Sequence, residues 1–228
     1  MIEAKKPYRN GDRSREKDPK QPETRISFKT NKALDIIVEG LEQISPDWDE
    51  LLDTLNDAQK NKIQGKENGH LLGRLAEIHV ASVLETLAID NPLIKLWPIP
   101  HNHETKSFRL EHSGVNYVAY KKGGTTACVE YDMLTEVNNL PVIWEVKIGY
   151  SLSQAISAQR IRNIVEPLAQ YYGHANFGYV VVAPTGSDQL TIAQEKFIAK
   201  GGLIARIPTT KTQFENNIKS ANGNGHPL

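Results

Sequence analysis

The sequence predicts an α/β fold built on one mixed β-sheet flanked by helices. Three observations predict it: an apolar helical run, HLLGRLAEIHVASVLETLA; strand-like segments separated by turn residues between 115 and 148; and a helix, strand, helix, strand succession from about Ser153 to Ile207. The order helix, three-strand meander, helix, strand, helix, strand leaves apolar sheet faces that the helices must cover.

Residues 1–30 contain too few apolar groups to form a core and read as a disordered basic tail. Residues 31–64 read as an N-terminal helical addition. Leu34, Ile37, Val38, Leu41 and Ile44 recur there at helical spacing, and Ser45, Pro46 and Asp47 stop that helix and cap a second one over Trp48, Leu51, Leu52 and Leu55. The core, residues 65–210, starts at the break GKENG and continues into the apolar run, which Asn91 and Pro92 end; this helix should be central and buried. Strands are predicted over Val115–Tyr120 and Thr125–Met133, joined by a turn at Lys121, Lys122, Gly123 and Gly124. Asn138 and Asn139 turn the chain again before a strand over Val142–Ile148. The following amphipathic helix presents Ile156, Ile161, Ile164, Val165 and Leu168 on one side and should bend or restart at Pro167. GYVVVAP reads as a buried strand, Asp188–Lys200 as a helix, and Leu203–Ile207, after Gly201 and Gly202, as a last strand; residues 211–228 read as a C-terminal tail.

Composition limits the function. With 228 residues, 39% hydrophobic and 24% charged, the chain matches an ordinary soluble domain. No apolar run approaches the roughly 18 residues that span a bilayer, and MIEAKKPYRNGDRSREKDPK lacks the apolar centre of a secretory signal, so a cytoplasmic protein is expected. The single cysteine, Cys128, can form neither an internal disulfide nor a zinc site on its own and is expected in the core. A net charge of zero argues against a dedicated basic polyanion binder. The charge is nevertheless segregated. Residues 1–32 hold ten Lys or Arg against five Asp or Glu, a balance of +5, which leaves −5 for the rest. Such a tail either holds a polyanion or is simply solvated.

The second hairpin carries the chemistry. If Asn138 and Asn139 are the central residues of a type I′ turn, Val137 pairs with Leu140, Asp132 lies across from Glu145, and Glu130 opposes Lys147. Tyr131, Met133, Val142, Trp144 and Val146 then share the other face. Two carboxylates roughly 5 Å apart at their Cα atoms repel one another and call for a cation, either Lys147 or a divalent metal. Magnesium takes hard oxygen ligands and is commonly held by one or two carboxylates plus water and substrate phosphate, a minimal set that Asp132 and Glu145 supply. Lys147, two residues beyond Glu145, projects to the same face. There it can orient or help deprotonate an attacking water, or neutralise charge on a phosphate.

At these residues the chain resembles the PD-(D/E)XK nuclease superfamily, which shares the restriction-endonuclease-like fold. Asp132 matches the family's first acid, and Glu145, Val146 and Lys147 match its (D/E)XK triplet. GRLAE, Gly73 to Glu77, matches the GxxxE found in many members on the helix before the meander. Tyr131 replaces the nominal proline, and no clear QxxxY follows the triplet, Gln154 and Gln159 being loose candidates. The resemblance covers residues 66–207. It implies catalytic Asp132, Glu145, Lys147 and Glu77, a metal held at Asp132, Glu145, Val146 and Glu77, Mg²⁺ as cofactor with Mn²⁺ able to substitute, and DNA as substrate. A homodimer or a larger nucleoprotein assembly is compatible with it, and a membrane partner is not expected. The implied activity is a restriction-enzyme-like or structure-specific DNA endonuclease. The alternative is an inactive nuclease fold serving as a DNA-binding or regulatory subunit, for instance of a mobile element.

Other polar residues have plainer readings beside the functional ones. Glu77 has Arg74 within helical reach as an ordinary ion-pair partner. Lys121, Lys122, Arg160 and Arg162 can grip phosphates or serve as solvated surface cations. His101 and His103 fit a polar loop after Pro98 and Pro100, and His79 a helix-surface or core position.

Overall fold

The computed structural model describes residues 26–47, 50–51, 68–113, 116–148, 152–185, 191–210, 212–213 and 216. Expectations for residues 1–25, for Trp48, Leu52 and Leu55, and for most of the C-terminal tail lie outside them. Among the described residues no helix is long and apolar enough to cross a membrane.

The fold is mixed α/β, with a six-stranded mixed sheet, a second antiparallel sheet of four strands, and flanking helices. At its centre is β9 (Asn176–Thr185), the predicted GYVVVAP strand, buried from Phe177 to Pro184. On one side β9 runs parallel to β8 (Leu140–Val146), which pairs antiparallel with β7 (Met133–Val137), and β7 pairs with the edge strand β2 (Ile94–Leu96). On its other side β9 is parallel to β1 (Ser27–Phe28) and β10 (Leu203–Thr210). The burial of β8 and β9 on both faces explains their near-continuous apolar sequence.

One face is covered by α1 (Lys32–Gln43) and α2 (Asn68–Asp90), the latter ending before Asn91 and Pro92 as predicted. Leu34, Ile37, Leu41, Leu75, Val80 and Leu84 pack there against Val142, Trp144, Val146, Val180 and Val182. Asn31 caps α1 by accepting from Leu34 N at 2.9 Å, and its amide donates to Val137 O at 3.0 Å, fixing the helix to β7. Asp47 accepts from Glu50 N at 3.0 Å, as an N-cap would. The opposite face is covered by α3 (Leu152–Ala155), α4 (Ala158–Tyr172) and α5 (Ile192–Ala199). Ile164, Val165, Leu168 and Phe197 meet Ile143, Phe177, Tyr179 and Val181 on that side.

The structure corrects several expectations. The single sheet is two, because the run predicted as one strand through Met133 is interrupted at Asp132: β6 (Ala127–Tyr131) belongs to the second sheet and β7 to the first. The second sheet has the order β3-β4-β5-β6, with β3 (His103–Glu104), β4 (Phe108–Ser113) and β5 (Asn116–Lys121). Residues 27–28 are not part of a coreless tail: they form β1, and Phe28 is buried against the Tyr179 and Phe197 rings. Pro167 does not restart the helix, since it lies inside continuous α4; the break falls earlier, at Ile156–Ser157, where Ser157 caps α4. Cys128 is exposed, because alternation on β6 turns Val129 and Tyr131 inward and Cys128 outward.

Candidate active site

The hairpin that carries the triplet has the register derived from its turn. Asn138 and Asn139 have φ of 50° and 62°, and the pairs run from Val137–Leu140 to Met133–Trp144. There the ladder stops, one pair short of the expected opposition of Asp132 and Glu145. Asp132 sits at the bend, between the last pair of the second sheet, Tyr117–Tyr131, and the first pair of the hairpin. The bend also separates two residues expected on one face: Tyr131 packs on the α4 side, its hydroxyl donating to Ile164 O at 2.8 Å, whereas Met133 packs on the α1–α2 side. Glu130 does not oppose Lys147, because it lies exposed on β6 while Lys147 follows the end of β8.

The acidic pair is nonetheless brought together. Asp132 Oδ2 accepts from Val146 N at 2.7 Å and from Lys147 Nζ at 3.0 Å. Lys147 Nζ also lies 3.0 Å from Glu145 Oε2, so one ammonium touches both carboxylates. Val146 thereby contributes its backbone N–H to the site while its side chain packs in the core. Glu145, beside Val181 of β9, is 0% exposed; its Oε1 accepts from Arg160 Nη2 at 2.9 Å, reached from the first turn of α4. Its Oε2 is buried and meets Lys147 Nζ at 3.0 Å.

Glu77 approaches from α2. It is close enough for Asp132 to act on its ionisation, but its Oε2 accepts from Arg74 Nη1 at 2.8 Å and from Asn116 Nδ2 at 3.3 Å. Arg74 also donates to Asn116 Oδ1. The ordinary partner of Glu77 is thus present, and among the described residues no group of three or more His, Cys, Asp or Glu side chains is gathered for a metal.

The electrostatics follow from burial and pairing. Burial raises the Glu145 carboxyl above its usual range; Lys147 and Arg160 pull it down, and Asp132 pushes it up. Burial likewise raises Glu77, with Asp132 adding to the rise against Arg74 and Asn116. For Lys147, burial disfavours the ammonium, but Asp132 and Glu145 outweigh it and hold the group above its ordinary value. Arg160 is raised in the same way, Glu145 outweighing its burial.

The remaining candidates lie elsewhere. Lys121 ends β5, and Lys122, in the turn that follows, pairs with Glu104 at 2.9 Å. Arg162 is exposed on α4, and Gln154 and Gln159 are exposed as well. His101 lies in a turn, but His103 is on β3, with its ring edge-on to Tyr171. His79 is a core histidine whose charged form burial disfavours. Sequence reasoning missed Asn116 and the pairing of Arg160 with Glu145. A polar residue at the inward start of a strand signals the first; only the packing of α4 on the sheet reveals the second.

No family model matches this chain, and no curated protein does. The crystal structure of protein VC1899 from Vibrio cholerae is similar over 66% of this chain and 33% of that one, with 14% identity and a TM-score of 0.34; the chain thus spans about a third of that protein's length.

Proposed function

We propose that the chain is a metal-dependent endonuclease that hydrolyses DNA phosphodiester bonds, with a restriction-endonuclease-like core. The observation that carries this reading is Lys147 touching Asp132 and Glu145 at once, one carboxylate from the bend between two sheets and one from β8 gathered by one cation.

Asp132 and Glu145 would hold Mg²⁺ or Mn²⁺. Their fit rests on the hard-oxygen character of both groups and on Glu145 Oε2, a fully buried carboxylate oxygen whose near partner is the Lys147 ammonium at 3.0 Å, a cation whose place a metal ion would take. When bound, the ion supplies Lewis-acid stabilisation of the charge that develops on the phosphoryl group. Lys147 is kept protonated by its two neighbours and so serves as an electrostatic donor to the phosphate or to the attacking water. The Val146 N–H fixes Asp132. Lys121, Lys122 and Arg162 would contact the DNA backbone. Hydrolysis adds water across the phosphodiester, leaving one phosphate end and one hydroxyl end.

A second reading, an inactive nuclease fold acting as a DNA-binding or regulatory subunit, is favoured by one observation: Glu77 is engaged by Arg74 and Asn116. Incubating the chain and Mg²⁺ with plasmid, linear duplex, single strand and a four-way junction tests both. Cleavage that requires Mg²⁺ and disappears in the Asp132→Asn, Lys147→Ala double variant is expected. Binding without cleavage would favour the second reading, and parental cutting by the double variant would refute the assigned centre.

A further inference from the structure

Arg160 has a place in this site that the (D/E)XK resemblance does not assign. Its Nη2 donates to Glu145 Oε1 at 2.9 Å and makes a longer contact, 3.4 Å, with Glu130 O. One guanidinium therefore links β8 at Glu145 to β6 two residues before Asp132, across the boundary between the two sheets. The residue is itself fixed: its backbone N–H is capped by Ser157 Oγ at 3.3 Å, and α4 is anchored to the same strands by Tyr131 Oη donating to Ile164 O. Glu145 consequently has Oε1 held by the Arg160 guanidinium, which turns Oε2 toward Lys147, whose Nζ also touches Asp132.

We propose that Arg160 is the positioning residue of the acidic pair, orienting Glu145 so that Oε2 is presented to a divalent cation while holding the Asp132 segment in register with it. The inference rests on the metal-dependent reading of the site. It differs from a charge-balancing role in sign. A cation that only balances charge repels an incoming metal, so its removal would tighten metal binding. A group that orients a ligand carboxylate weakens metal binding when removed, by about 10–100-fold for outer-shell partners. An arginine guanidinium stays charged, and so remains a donor, throughout the accessible pH range. Arg160 Nη2 carries two N–H donors in the fixed guanidinium plane, so one nitrogen serves both the carboxylate and the carbonyl.

The test is calorimetric titration with Mn²⁺ alone, with no nucleic acid, on the parent, Arg160→Ala, Arg160→Gln and Arg160→Lys. The parent should bind. Arg160→Ala should bind about 10-fold or more weakly, and Arg160→Gln, uncharged but still a donor, should recover part of that loss. Arg160→Lys should also recover part of it, less than in proportion to its full charge. Equal or tighter binding by Arg160→Ala, or by Arg160→Gln and Arg160→Lys if the alanine variant does not fold, would overturn the positioning role while leaving the metal site standing. Absence of Mn²⁺ binding by the parent would overturn the metal-dependent reading and this inference with it.

Discussion

Replacing Lys147 by Met removes the cation joining Asp132 and Glu145 but keeps a stem of similar length, so little cavity is created. The side chains left behind are 9% and 0% exposed. Removing one partner of a buried ion pair costs about 3–5 kcal/mol, because the uncompensated charge stays buried. Here the Val146 N–H still holds Asp132 and Arg160 still holds Glu145, which places the cost near the lower end, about 3 kcal/mol. For a domain of this size each kcal/mol moves the melting temperature by roughly 2–4 °C, so the metal-free variant should melt roughly 6–12 °C below the parent. Mn²⁺ at a hundredfold excess over its dissociation constant returns about 2.7 kcal/mol and should restore most of the loss. At equal Mn²⁺ the variant should gain more than the parent, in which the ion competes with Lys147. Circular-dichroism melts in chelator and in Mn²⁺ measure both effects, and Mg²⁺-dependent cleavage should slow by about a hundredfold or more. A metal-free variant melting within about 1 °C of the parent, or a loss that Mn²⁺ leaves unchanged, would refute the bridge.

Other predictions concern the pH dependence and the frame around the site. Because burial raises Glu145, the folded chain keeps a proton there at pH values where the unfolded chain has lost it; metal-free stability therefore falls as pH rises from the ordinary carboxylate range through the raised value. A metal must displace that proton, so Mn²⁺ affinity should rise over the same window, and equal calorimetric affinities at about pH 5 and about pH 8 would contradict carboxylate ligation. Thr135→Val strands the buried Trp144 Nε1–H, which donates to Thr135 Oγ1 at 2.9 Å, and should cost about 1–3 kcal/mol in a urea titration; an unchanged midpoint would contradict that contact. Phe28→Ala should cost about 3 kcal/mol by the same assay, since its ring packs on Tyr179 and Phe197, whereas a solvated residue 28 would cost almost nothing.

The hairpin was legible because turn chemistry is local: Asn138 and Asn139 take left-handed conformations, and that alone fixes Val137 against Leu140 and every pair back to Met133. The bend at Asp132 was not legible. No glycine or proline marks it, and the apolar alternation continues across it, so only the packing of Tyr131 and Met133 on opposite sides reveals two sheets. β4, FRLEHS, hides under its charges, although Phe108 and Leu110 turn inward at strand spacing. β1 is two residues long and takes its order from β9, which no local pattern expresses. Within the candidate site, Glu145 with Lys147 follows from strand spacing and Glu77 with Arg74 from helical spacing, whereas Asp132 meets them through the bend beyond the end of the ladder. Asn116 and Arg160 join only when separate elements pack, which a pattern with periods of 2 and 3.6 residues does not encode.

In the proposed nuclease, Asp132 and Glu145 jointly hold a divalent cation that serves phosphodiester cleavage. Anomalous diffraction from crystals soaked in Mn²⁺ together with a short DNA duplex tests it most directly. The expected result is a manganese peak coordinated by oxygens of both Asp132 and Glu145, with a phosphate oxygen beside it and Lys147 displaced from at least one carboxylate. Lys147 still joining both carboxylates, with manganese bound elsewhere or not at all, would contradict it.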